Sequence, residues 1–105
     1  MSEVDHNSVT AAARAASSRI AGLVRRTPLD YSYRFSVDAG ADIYMKLENL
    51  QYTGSFKLRG AANRLMTLAN EQKQAGCVAA SSGNHGAAIA YAMQKLGIEG
   101  VIFVP

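Results

Sequence analysis

The sequence predicts an α/β chain: an open parallel sheet with flanking helices. Three observations carry that prediction. Segments with a period of two and segments with a period near 3.6 alternate along the chain. Glycines and prolines punctuate the junctions between them. The last two strand candidates, Cys77–Ala80 and Gly100–Val104, are short apolar runs, as expected of strands covered on both faces of a parallel sheet.

The elements follow in order. A first helix is expected from Ser8 to Val24, capped by Asn7 or Ser8, with Val9, Ala12, Ala13, Ala16, Ile20, Leu23 and Val24 at helical spacing. Pro28 bounds it, because a residue before proline is pushed towards extended conformation. Leu29–Tyr33 reads as extended and Arg34–Ala39 as a short helix stopped by Gly40. From Asp42 to Glu48 the pattern alternates, with Ile43, Met45 and Leu47 on one side, which predicts a strand. After the polar loop Asn49–Gly54, a helix starts near Ser55 and carries Leu58, Ala61, Ala62, Leu65, Met66 and Ala69 on one stripe. Gly76 ends the polar segment that follows. The turn Ser81–Asn84 leads into a helix with Ala88, Ile89, Ala92, Met93 and Leu96 on one face, ending at Gly97. Strand, helix, strand, helix, strand from residue 42 onward predicts a parallel sheet with right-handed crossovers. The chain stops directly after a strand that no helix covers. It is therefore expected to be the N-terminal part of a longer protein.

Composition narrows the class. The 105 residues are 49% hydrophobic and 18% charged, an ordinary globular balance that argues against disorder. No apolar run approaches the roughly 18–20 residues of a membrane span. Met1–His6 carries Glu3 and Asp5 and no apolar core, so no secretory signal is expected. The formal charge of +3 is mild and the basic residues are scattered, which speaks against nucleic acid as a partner. One cysteine, Cys77, excludes an internal disulfide and a cysteine metal cluster, and His6 and His85 give no metal-ligand spacing. No metal site and no membrane association are expected. The expected location is cytoplasmic, with a reduced thiol.

Two loop-to-helix junctions stand out chemically. One is Thr53-Gly54-Ser55-Phe56-Lys57-Leu58-Arg59-Gly60. Partial desolvation between Phe56 and Leu58 would make Lys57 a nucleophile or Schiff-base former. Residue type alone leaves it a solvated surface lysine. Arg59 could pair with a carboxylate, but a solvated helix position is the expected reading. The other junction is Ser81-Ser82-Gly83-Asn84-His85-Gly86. A helix start offers unpaired N–H groups and a positive dipole end to an anion, and Gly83 would let the backbone turn tightly and approach a ligand. A capped turn without a ligand is the alternative, and it stays open. His85 could bond a ligand carboxylate or simply occupy a first helical turn. Neither junction matches a dinucleotide or phosphate-loop motif.

Together the junctions resemble one family. Lys46-Leu47-Glu48-Asn49 followed by Ser55-Phe56-Lys57-Leu58-Arg59-Gly60-Ala61 is similar to the lysine segment of threonine dehydratases, serine dehydratases and serine racemases. Ser81-Ser82-Gly83-Asn84-His85-Gly86 is similar to their asparagine loop, and Arg25-Arg26-Thr27-Pro28-Leu29 to the stretch before their first strand. These are fold type II enzymes dependent on pyridoxal 5′-phosphate (PLP).

The resemblance implies roles. Lys57 would hold PLP as a Schiff base and act as catalytic base. Phe56 would pack near the ring, and Asn84 would bond the ring hydroxyl. Ser81, Ser82, Gly83, Asn84 and His85 would receive the substrate carboxylate. Ser82 matches the second acid/base of serine racemases, where many plain dehydratases carry alanine. The implied reaction is β-elimination from L-threonine or L-serine to a 2-oxo acid and ammonia. Racemisation or β-replacement within the same superfamily is the alternative, as is a truncated non-catalytic α/β chain. Residues 1–40 would pack with the large domain, and 41–105 would begin the small one. The phosphate loop, the partner of the pyridine nitrogen and any metal ligands would lie beyond Pro105. The isolated 105 residues are expected to be inactive, and the full-length enzyme to be a homo-oligomer.

Overall fold

A computed structural model describes residues 5–105. The secretory-signal reading of Met1–His6 therefore falls largely on residues 1–4, outside the described residues. Helix α1 (His6–Ile20) begins at Asp5, whose carboxylate accepts the Asn7 amide at 3.1 Å. The helix thus starts before the expected Asn7 or Ser8 cap. It also ends earlier than Val24, because the Leu23 and Val24 amides both turn back to the Ile20 carbonyl. Strand β1 (Leu29–Tyr31) leads into α2 (Tyr33–Ala39), which Ser32 caps and Gly40 stops at φ 63°. Strand β2 (Tyr44–Lys46) is followed by a 3-10 turn, Glu48–Leu50. Then come α3 (Lys57–Met66), α4 (Asn70–Ala75), β3 (Cys77–Ala80), α5 (Asn84–Leu96) and β4 (Gly100–Phe103).

The strands form two separate pairs. β3 and β4 are parallel, with Cys77 opposite Gly100 and Ala80 opposite Phe103, and α5 is the crossover between them. β2 does not join that sheet. It pairs antiparallel with β1, Asp30 opposite Met45, and the Tyr31 and Tyr44 rings meet edge-to-face at 5.4 Å. Alternation identifies β2 as a strand but carries no information on its partner, so the expected three-strand parallel run is corrected to two. The β1–β2 pair also spans residue 40.

The core lies between α3 and α5. Leu58, Ala61 and Leu65 of α3 pack against Ala88, Ile89, Ala92 and Met93 of α5, with Ile98 beneath. The alanines let the two helix axes approach closely. Ile20 is the buried residue of α1, which rests on α3 and adds a hydrogen bond from Arg19 to Asn63. Gly100 is required where β4 passes β3, since a Cβ there would collide with the Cys77 carbonyl and the Met93 sulfur. The radius of gyration, 16.6 Å, exceeds the about 13 Å of a compact domain this long. Large apolar side chains on β1, β2, β3 and β4, among them Leu29, Tyr44, Val78 and Phe103, are exposed.

Candidate active site

Every residue expected to bind a ligand sits at the start of α3 or α5. Met66, the last residue of α3, lines one surface cleft together with Lys95 and Leu96, the last residues of α5. The two helices pack along their lengths, so their C-terminal ends share one end of the pair. Lys57 and Asn84 begin them at the other end.

The loop before α3 is held by buried polar groups. The Gln51 side chain is buried, accepts the Arg25 amide at 2.8 Å and donates to the Arg25 carbonyl at 2.9 Å. Gly54 turns at φ 75°, and the buried Ser55 hydroxyl faces the Lys57 amide at 3.4 Å. Leu58 is wholly buried, which leaves Phe56 and Lys57 outside. The Lys57 ammonium lies 5.3 Å from the Phe56 ring centroid and has no hydrogen bond or ion pair among the described residues. The desolvated setting expected for Lys57 is not provided by these residues, because Leu58 turns into the core instead of flanking the amine.

The second junction is built around Ser81. Its amide continues the sheet by donating to the Phe103 carbonyl at 3.0 Å. Its hydroxyl accepts the Gly83 amide at 3.2 Å and the Gly86 amide at 3.0 Å, which caps α5. The tight approach lies at Gly86, where a Cβ would come within 2.8 Å of the Ser81 carbonyl. Gly83 itself stands at φ −133° and ψ −142°, outside both the helical and the extended conformations, where the chain turns from β3 into α5. A Cβ at Gly83 would meet nothing within 4 Å, so that position stays open to a ligand. Ser82, Gly83, Asn84 and His85 are exposed, and the Asn84 and His85 amides open the helix with no partner among the described residues.

A further set of polar residues was assigned no role by sequence reasoning. Both oxygens of Glu48 accept from Arg59, at 2.9 Å from Nε and 2.7 Å from Nη2, and Oε1 also accepts the buried Thr27 hydroxyl at 2.5 Å. These bonds, the Arg59 pair foremost, hold the Glu48 carboxyl down from 4.5 to about 2 despite the opposing effect of burial. Arg59 is therefore an ion-paired residue and not the solvated position expected. Lys46 donates to the Thr27 carbonyl at 2.6 Å, and the Arg25 guanidinium lies 4.7 Å over the Tyr52 ring, which stacks on Tyr91. The signal was present in the sequence: Thr27, Lys46, Glu48 and Arg59 all lie inside the segments that carry the family resemblance.

The residues fit a cofactor with an aldehyde, an aromatic ring and a substrate carboxylate nearby. They offer an exposed primary amine, a neighbouring phenyl ring and unpartnered helix-start amides. Comparison with known proteins agrees. The family model described as pyridoxal-phosphate dependent enzyme matches residues 20–105. The chain belongs to that family, whose cofactor is pyridoxal phosphate. It is 48% identical over 90 residues to a biosynthetic L-threonine dehydratase of Corynebacterium glutamicum, covering 86% of this chain and 21% of the relative. An L-threonine ammonia-lyase of Thermotoga maritima is 47% identical over 90 residues, covering 86% of this chain and 22% of the relative. The serine racemase structure from Dictyostelium discoideum superposes with a TM-score of 0.83 at 40% identity, over 88% of this chain and 30% of that one. The chain thus spans about a fifth of the length of these curated relatives. The α/β fold expected from the sequence, as the N-terminal part of a fold type II enzyme, stands. No helix among the described residues is long and apolar enough to cross a membrane.

Proposed function

We propose that this chain is the N-terminal part of an enzyme that deaminates L-threonine or L-serine: water leaves across the Cα–Cβ bond and is taken up again when the resulting enamine hydrolyses to a 2-oxo acid and ammonia. One observation supports the reading: α3 and α5 pack against each other and share a cleft at their C-terminal ends, so Lys57 and the Ser81–His85 loop both lie toward the opposite end of the pair. Bound pyridoxal phosphate supplies the electron sink that acidifies the substrate Cα–H. Lys57 would anchor the cofactor, and its Nζ, when free, would take the Cα proton as general base. Phe56, beside the Lys57 amine, would pack near the ring. The amides of Asn84 and His85 would receive the substrate carboxylate, where the dipole of α5 favours negative charge. The Asn84 side chain would bond the ring hydroxyl. The similarity to threonine dehydratases supports elimination as the reaction.

Racemisation is the second reading. The exposed Ser82 hydroxyl has no partner among the described residues and lies in the same loop, as a second proton donor would require. Assay of the full-length enzyme with L-threonine and L-serine tests the main reading. Release of 2-oxobutanoate or pyruvate with equal ammonia supports it. Interconversion of enantiomers without 2-oxo acid contradicts it in favour of the second.

A further inference from the structure

We infer that Glu48 is a positioning residue for Lys57, an inference that rests on the role proposed above for that lysine. Successive residues leave a helix about 100° apart. Leu58 points into the core and is fully buried, and Arg59, the next residue, points to the Glu48 carboxylate. Two fixed directions set the rotation of the first turn of α3. The direction of Lys57, on the far side of Leu58 from Arg59, follows from them.

The carboxylate is suited to that task. It is shielded, with only 13% of the side chain exposed, and bonded at both oxygens. Through Thr27 and Arg59 it joins three pieces of chain: the stretch before β1, the turn after β2 and the start of α3. Arg59 extends the link to the Arg25 carbonyl at 3.4 Å, which Gln51 also holds. Without the carboxylate, Leu58 alone fixes the first turn, and the amine at Lys57 is free to swing off line.

The test uses the full-length enzyme with its cofactor and three variants. Glu48→Gln removes the charge, and Thr27→Val removes one hydrogen bond at nearly equal volume. Arg34→Ala is the control, since it breaks the exposed Arg34–Asp38 bridge away from the network. The inference expects Glu48→Gln to lower kcat roughly 10–100-fold with KM changed less than about threefold. It also expects the pH dependence of the lysine-linked cofactor absorbance to shift by at least about half a pH unit, because the amine no longer keeps one environment. Thr27→Val should move both readouts in the same direction by less, and Arg34→Ala should move neither. A folded Glu48→Gln enzyme with parental kcat and pH profile overturns the inference. If Glu48→Gln does not fold, parental values for Thr27→Val overturn it. Absence of any borohydride-trapped cofactor on Lys57 in the unsubstituted enzyme instead overturns the proposed function, and the inference with it.

Discussion

The hydroxyl of Ser81 and the amide of Gly86 meet at 3.0 Å, and this contact joins the end of β3 to the first turn of α5. The helix start is held so close to the strand that a side chain at Gly86 would press on the Ser81 carbonyl. The loop from Ser82 to His85 is therefore displayed outward from a rigid base.

Gly86→Ala should push α5 away from Ser81. The expected cost is about 1–3 kcal/mol of stability, as for other overpacked sites. Urea denaturation of the full-length protein measures it. Gly83→Ala, where the added Cβ meets open space, should cost much less. Equal costs at the two positions would contradict the packing described.

Glu48 makes stability depend on pH in acid. Its carboxyl is held down from 4.5 to about 2 in the folded protein. A lowered folded value means that the stabilisation is complete above the unfolded value and is lost as pH falls through the folded one. The loss should therefore run from about pH 4.5 down to about pH 2. Glu48→Gln should flatten that limb of the stability curve and leave the neutral-to-alkaline side with its slope unchanged.

Gln51→Leu should cost about 1–3 kcal/mol, since it strands the amide of Arg25, leaves the Arg25 carbonyl only its long bond from Arg59, and removes the acceptor of the Tyr52 amide. Thermal unfolding checks this. Asn49→Ala, an exposed neighbour in the same turn, should change the midpoint by under a degree or two, within the roughly ±0.5 kcal/mol of ordinary surface substitutions.

Ser82→Ala distinguishes elimination from racemisation. The loop backbone does not depend on this side chain, which is exposed and unbonded among the described residues. Elimination from the L-substrate should survive, while action on the D-isomer should fall by about 100-fold or more, the range typical of a lost acid/base group. Equal loss on both isomers would show that Ser82 serves binding alone.

Much of this architecture was legible in the chain. Gly40 and Gly97 stop α2 and α5 in the left-handed conformation, as turn chemistry requires. The α3 and α5 stripes form the core that their spacing described. Other features had no local signal. Helix α4, Asn70–Ala75, carries no apolar stripe, and its start is held by the Gln72 side chain accepting the Ala69 amide. The pairing of β2 with β1 is a tertiary choice that alternation does not encode. The Glu48–Arg59 pair joins a turn to a helix, where no periodicity applies, and only the family resemblance of the two segments pointed to its residues. At the site, the helix starts were readable from residue type, whereas the burial of Gln51 and the close approach at Gly86 needed coordinates.

Reduction of the cofactor-loaded full-length enzyme with borohydride, followed by peptide mapping, tests the central claim most directly. One pyridoxyl group is expected, on Lys57, with the other lysines unmodified. Adducts spread over Lys46, Lys73 and Lys95 with Lys57 free would contradict it.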